Sequence, residues 1–241
     1  MMLVVGLGAS FGVYAADNAD TGVVEALRQT LTRRYPQVAI VDIFPARIPG
    51  LWEVFTGNSI AYADSTGEYL LVGQLLATAT NENVTAARLD ELNRIDPSRI
   101  PRDRTIQYKK GNGRRTLFVF ADPDCPHCQQ LEKDLALLDD LTVHIVLYPL
   151  ASIHPEAPAR ARAIWCSADR AAAWSAWMLE RRAPAEAQCA DDTVDQLVAL
   201  GRELRVISTP TLVFESGRRF SGAPTRAQLA ALLAAESTTA K

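Results

Sequence analysis

Phe118-Val-Phe-Ala-Asp-Pro-Asp-Cys125-Pro126-His127-Cys128 runs from an apolar, β-type stretch through a short Asp-Pro-Asp loop into the start of a helix. Both cysteines fall in that helix's first turn, Cys125 at its head and Cys128 one turn deeper. The unpaired amide N–H groups and the dipole at a helix N-terminus stabilise an anion, so Cys125 is placed to ionise. An ordinary thiol with a pKa of ~8.5 is only about 3% thiolate at pH 7, whereas a C-x-x-C thiol at such a position falls to ~3.5 to 7.5. Pro126 costs little at the first or second helical position, where its missing N–H is not needed. His127 lies between the two sulfurs, where it either supports the thiolate as imidazolium or N–H donor, or faces solvent. Asp122 and Asp124 would oppose thiolate formation if close, and Pro123 is expected to turn them outward.

Around this segment the apolar pattern has an α/β order. Thr105 to Lys109 and Thr116 to Phe120 read as strands joined by Lys110-Gly-Asn-Gly113, a hairpin signal that lacks the helix and further glycines of a phosphate loop. Then follow a helix (126–138), a strand (142–148), an alanine-rich helical stretch (155–182), a helix (192–204), a strand (211–214) with a hairpin mate near 218–221, and a last helix (225–235). In Ser208-Thr209-Pro210-Thr211 a proline directly precedes a strand. A cis Thr209-Pro210 peptide is predicted there, its backbone lying against the reactive sulfur and offering strand-like hydrogen bonds to an incoming peptide. A zinc site needs four ligands, and His144, His154, Cys166 and Cys189 do not supply them at ligand spacing, so no metal is expected.

Upstream, Val23, Val24, Leu27 and Leu31 recur at helical spacing up to Pro36, and short β-rich runs then alternate with turn residues between 38 and 79. A helix plus a small antiparallel sheet of about sixty residues buries a marginal core, which predicts dimerisation through this segment. Residues 81–96 place Val84, Ala87, Leu92 and Ile95 along one face and read as a linker helix closed by Pro97 and Pro101. Residues 1–16 carry no charge and end in Val13-Tyr14-Ala15-Ala16, the pattern of a cleaved secretory leader without its basic start; a buried N-terminal strand is the alternative. The expected organisation is therefore a leader (1–16), an N-terminal domain (17–80), a linker helix (81–104) and an α/β domain (105–241). A leader implies an oxidising compartment, which permits paired cysteines.

The whole is 241 residues, 48% hydrophobic and 22% charged, with net charge −3. This composition excludes disorder and a polytopic membrane protein, and it provides no global field for nucleic acid.

Asp124-Cys-Pro-His-Cys128 together with Thr209-Pro210 resembles a thioredoxin fold, and the mature chain as a whole resembles the periplasmic disulfide isomerases of the DsbC/DsbG type. The resemblance extends to Asn83-Val-Thr-Ala, Ile164-Trp-Cys166, Cys189 and Ser208-Thr-Pro-Thr-Leu-Val213. It implies a homodimer built through the N-terminal domain, with two active sites facing a shared apolar cleft for misfolded secreted proteins. It further implies Cys125 as nucleophile, Cys128 as resolving thiol, Thr209 and Pro210 as the substrate-facing loop, and a membrane thiol reductase of the DsbD type as electron donor. Cys166 and Cys189 are then a structural disulfide, the alternative being two buried thiols, with Trp165, Trp174 and Trp177 as core around it. Two departures stand out. Val119 occupies the strand position of the buried acid of cytosolic thioredoxins, which fits an isomerase better than a general reductase. Pro126-His127 replaces the Gly-Tyr pair of strict isomerases and is closer to oxidase-like dipeptides. Isomerase, dithiol oxidase and a dimeric holdase without exchange activity all remain open from sequence.

Overall fold

In a computed structural model the chain is described over residues 18–184 and 189–239. The expected leader (1–16) lies outside the described residues, and among these no helix is long and apolar enough to cross a membrane. The chain divides into two compact units, one ending at Leu89 and the other beginning at Asp90.

In the first unit the periodicity of Val23, Leu27 and Leu31 produces helix α1 (Asn18–Arg34), whose apolar stripe packs on an antiparallel sheet. The sheet runs in simple order through β1 (Asp42–Pro45), β2 (Leu51–Phe55), β3 (Ile60–Asp64) and β4 (Leu70–Leu71). The buried cluster between helix and sheet is small, comprising Leu27, Leu31, Ile43, Trp52, Val54 and Ala63. Gly67 turns the chain into β4 at a positive φ of 69°, which favours glycine, and a Cβ there would also crowd the end of the Leu27 side chain at 2.9 Å. A short hairpin of β5 (Leu76–Ala77) and β6 (Glu82–Asn83), not foreseen from the sequence, leads into α2 (Val84–Leu92). Within this unit Tyr62 and Thr85 share a 2.6 Å hydrogen bond, and Arg88 donates at 2.9 Å to the buried Glu53. The helical segment expected over 81–96 thus shortens at both ends, because Leu75 and Ala77 pair with residues 82–84 at its start.

The second unit opens with two single 3-10 turns, Pro97–Arg99 and Arg102–Arg104. It then forms β7 (Ile106–Lys110), β8 (Arg115–Ala121), α3 (Pro126–Leu135) and β9 (Leu141–Leu147). Next come α4 (Ala157–Trp165), α5 (Arg170–Glu180), α6 (Thr193–Glu203), β10 (Thr211–Phe214), β11 (Arg219–Ser221) and α7 (Arg226–Thr239). The sheet order is β11-β10-β8-β9-β7; β8 and β9 are parallel and every other pair is antiparallel.

The expected hairpin between β7 and β8 does not form. β9 lies between them and pairs with both. β8 and β9 are buried almost throughout and take the two-faced central positions, whereas β7 alternates buried and exposed residues and suits an edge. The Gly111 and Gly113 turn carries the chain across the end of β9, where the Gly113 carbonyl accepts from the Thr142 hydroxyl at 2.9 Å. The stretch 155–182 is likewise two helices. It breaks after Cys166, and Asp169 caps α5 by accepting from the Ala172 N–H at 2.9 Å.

Candidate active site

The site forms where the fully buried end of β8 passes into α3. Cys125 is the N-cap of α3 and Pro126 its first residue, so the amides of the first turn point at the Cys125 sulfur. Cys125 and Cys128 are free thiols, 5% and 2% exposed. The Cys128 thiol donates to Cys125, the amides of Cys128 and His127 and the Thr209 hydroxyl add to this, and together they outweigh burial and hold the Cys125 pKa at about 5. Burial, the hydrogen bond to Cys125 and the adjacent negative charge push Cys128 far up, so it stays neutral. Two chemically identical groups are thus separated into an ionised sulfur at the surface end of the helix and a protonated one behind it.

Strand pairing brings the proline loop to the same place. Thr211 of β10 sits opposite Phe120 of β8, which sets residues 208–210 beside the head of α3. The Thr209-Pro210 peptide is cis, as the sequence predicts, and the Thr209 carbonyl oxygen lies 3.5 Å from the Cys125 Sγ. Thr209 and Pro210 are themselves buried against the sulfur, and Ile207, 66% exposed, precedes them at the surface.

Three comparisons with known proteins bear on this geometry. A family model described as a thioredoxin-like domain matches residues 102–236, and one described as the disulfide bond isomerase protein N-terminal domain matches residues 14–86. The chain is 36% identical over 210 residues to a probable thiol:disulfide interchange protein DsbC of Bordetella pertussis, covering 87% of this chain and 74% of that protein. It is 31% identical over 234 residues to the thiol:disulfide interchange protein DsbC of Dickeya dadantii, covering 95% and 92%. The crystal structure of a disulfide interchange protein from Neisseria gonorrhoeae superposes with a TM-score of 0.55 at 36% identity, covering 57% of this chain and 98% of that one. The chain belongs to the periplasmic DsbC/DsbG family of thioredoxin-like disulfide proteins. It is a thiol-disulfide oxidoreductase of the periplasm.

The surroundings of the cysteines in this DsbC-family protein differ from the sequence expectation at the acids. Asp122 does not face solvent: it is wholly buried, and its carboxylate accepts from the N–H groups of Asp124 and Leu150, both at 2.7 Å, and faces Nδ1 of His154 at 3.0 Å. Asp124 is mostly buried and ion-paired with Arg160 of α4. Pro123 therefore bends the loop into the protein, and each acid meets a basic partner from the segment after β9. That partnership has no local spacing signal, since His154 and Arg160 lie 32 and 36 residues downstream.

His127 is exposed and contributes through its amide; Pro126 is also exposed. Val119 is 1% exposed in the apolar core. A buried acid does occur elsewhere: Glu132, one turn beyond Cys128 on the inner face of α3, with burial raising its pKa. Its position on the same face as Cys128, Leu131 and Leu135 is the signal by which it was findable.

The loop under Cys125 is braced by the tryptophan-rich helices. Trp177 donates from Nε1 to the Pro123 carbonyl at 2.7 Å, and its ring is sandwiched between the guanidinium groups of Arg160 and Arg181, each 4.1 Å away. Trp165, Trp174 and Trp177 are all buried. Cys166, at the C-cap of α4, is joined to Cys189 by a disulfide with a Cα–Cα distance of 5.6 Å.

Proposed function

We propose that this DsbC-family protein is a disulfide isomerase that reshuffles non-native disulfides of secreted proteins through Cys125-Pro126-His127-Cys128. The observation that carries the reading is the separation of the two thiols: Cys125 is ionised at neutral pH and Cys128 is not. The Cys125 thiolate attacks one sulfur of a substrate disulfide. A bond forms between these sulfurs, the substrate S–S bond breaks, and the second substrate sulfur leaves as a thiolate. A different substrate thiol then displaces Cys125 and completes isomerisation, or Cys128 displaces the substrate and leaves an internal disulfide. Pro126 starts the helix whose amides hold the sulfur, the His127 amide is one of them, and Thr209 and Pro210 present backbone to the bound chain. Cys166 and Cys189 are structural.

Isomerisation consumes no electrons but requires Cys125 and Cys128 reduced, and a membrane thiol reductase of the DsbD type is proposed as the donor. Residues 17–80 are proposed as a homodimerisation domain, 81–104 as a linker and 105–241 as the catalytic domain. In support of a dimer, the buried apolar cluster under α1 holds six residues and the first unit leaves Tyr69, Leu71, Val72 and Leu76 between 54% and 86% exposed.

The test is reactivation of a scrambled multi-disulfide protein in glutathione buffer, with solution mass measured alongside. Reactivation that disappears in Cys125→Ser and a mass of two chains are the expected results. Rapid oxidation of a reduced substrate without reshuffling overturns the isomerase reading in favour of an oxidase. Protection from aggregation that survives Cys125→Ser, with neither exchange activity, identifies a holdase.

A further inference from the structure

The loop after β9 reaches back to the cysteines. Asp122, three residues before Cys125, fixes both ends of this contact: its carbonyl accepts from the Cys125 N–H at 3.2 Å, and its carboxylate accepts from the Leu150 N–H and faces His154. The Asp122 carboxylate already accepts two amide N–H groups, and a hydrogen bond to it from His154 uses Nδ1 as the donor, which leaves Nε2 to gain or lose a proton. The His154 side chain is 24% exposed, enough for exchange with solvent.

The charges around His154 come from three elements. Asp122 and Asp124 belong to the loop after β8, Cys125 heads α3, and Arg160 of α4 pairs with Asp124. Asp124 is paired with Arg160, whose guanidinium keeps its charge, and among the described residues the basic side chain paired with Asp122 is His154. Two acids within three residues of a thiol oppose its ionisation unless something balances them, and here one of the two balancing groups is an imidazole, whose charge depends on pH.

We propose that His154, oriented by the buried carboxylate of Asp122, is a positioning residue for disulfide exchange whose imidazolium keeps Cys125 as the attacking thiolate. The inference rests on the reading of Cys125 as the attacking sulfur. The hydrogen bond that the Asp122 carboxylate accepts raises the His154 pKa, and the Cys125 charge adds to it, so the imidazolium and the thiolate support each other. As pH rises through the His154 pKa, Asp122 is left unbalanced beside Cys125 and the sulfur loses its support.

The experiment compares the reduced wild-type protein with His154→Asn, which keeps an N–H donor for Asp122 but carries no charge. The Cys125 thiolate is followed by absorbance at 240 nm and by iodoacetamide modification against pH. In His154→Asn the Cys125 pKa is expected to rise by about half a unit, so that modification below pH 5 slows about threefold. An unchanged Cys125 titration overturns the proposal and leaves His154 a structural hydrogen-bond donor. A second measurement uses unmodified protein: the His154 ring is titrated by NMR in the reduced form and in the form with Cys125 and Cys128 oxidised to a disulfide. Coupling is reciprocal, so the His154 pKa must be higher in the reduced form; equal values overturn the proposal even if the variant misfolds. Both readouts report on the thiol and imidazole alone, so they stand whether or not scrambled substrates are reactivated. Loss of the low-pH 240 nm transition in Cys125→Ser checks separately that Cys125 is the ionising sulfur.

Discussion

The Thr209 carbonyl oxygen lies 3.5 Å from the Cys125 Sγ although 84 residues separate them in the chain. The pairing of β10 with β8 produces this approach, and it also brings the Thr209 hydroxyl to the sulfur, where it lowers the Cys125 pKa. Thr209→Val retains the branched shape and removes the donor. The Cys125 pKa is expected to rise by about one to two units, as for loss of a single hydrogen bond to a charged group. Absorbance at 240 nm against pH measures it, and an unchanged midpoint refutes the assignment.

The contrast between the two thiols predicts selective chemistry. With Cys125 at about 5 and Cys128 held neutral by burial and by its neighbour's charge, iodoacetamide at pH 6 should label Cys125 alone in the folded, reduced protein. Mass spectrometry of the digested product reads this directly. Cys128→Ser should keep rapid attack but accumulate mixed disulfides with substrate, because the sulfur that would release them is gone. Cys125→Ser should form none.

Stability of the reduced protein should depend on pH in a defined direction. The folded pKa of Cys125 is about 5, below the ~8.5 of an unfolded thiol, so its contribution is complete above pH 8.5 and disappears as pH falls through 5. At pH 7 the two-unit gap above the folded value corresponds to about 2 to 3 kcal/mol. Above pH 8.5 the neutral Cys128 works in the opposite direction, since it ionises only on unfolding. Urea unfolding of reduced wild type against Cys125→Ala should show a difference that shrinks between pH 7 and pH 5. A constant difference contradicts the thiolate account.

The sequence was most legible where the signal is local. Cys125 at a helix start, Pro126 at its first position and a proline before β10 are readable because strand, loop and helix N-terminus are defined within a few residues. The helix periodicities of α1 and α6 survive for the same reason. What was not readable depends on pairing across the chain. The insertion of β9 between β7 and β8 follows from which strands are apolar on both faces, and a two-strand view favours the nearer turn. Asp122 looks like a surface acid until Leu150 and His154 arrive from beyond β9.

The disulfide between Cys166 and Cys189 closes a separation of 23 residues, and loop entropy assigns such a link roughly 3 kcal/mol. Replacing both cysteines by alanine should lower stability by about that amount, read as a shift in the urea midpoint at pH 7. The bridge also ties the end of α4, which carries Arg160, to the segment before α6. Cys125 labelling should therefore persist in the double variant below its unfolding midpoint. Loss of labelling selectivity in the folded double variant would assign the bridge to shaping the site as well as to stability.

Gly201 shows how closely helix packing approaches the strand that leads to the His154 loop. It lies within α6 against the ring of Tyr148, which follows β9, and a Cβ on residue 201 would overlap that ring. The ring has little room to move: Tyr148 donates from its hydroxyl to the Val206 carbonyl at 2.9 Å and meets Phe120 edge-on at a centroid distance of 6.0 Å. Alanine is the better helix former by ~1 kcal/mol, whereas overpacking costs about 1 to 3 kcal/mol. Because the obstructing atoms belong to an anchored ring rather than to a flexible chain end, the overlap should win. Gly201→Ala should therefore lower Tm by a few degrees, at roughly 2 to 4 °C per kcal/mol for a chain of this size. In a Tyr148→Ala background the same substitution should lose its cost and become stabilising through helix propensity. A double-mutant cycle measured by thermal unfolding separates the two effects, and additivity of the two substitutions would show that the ring is not what demands glycine at position 201.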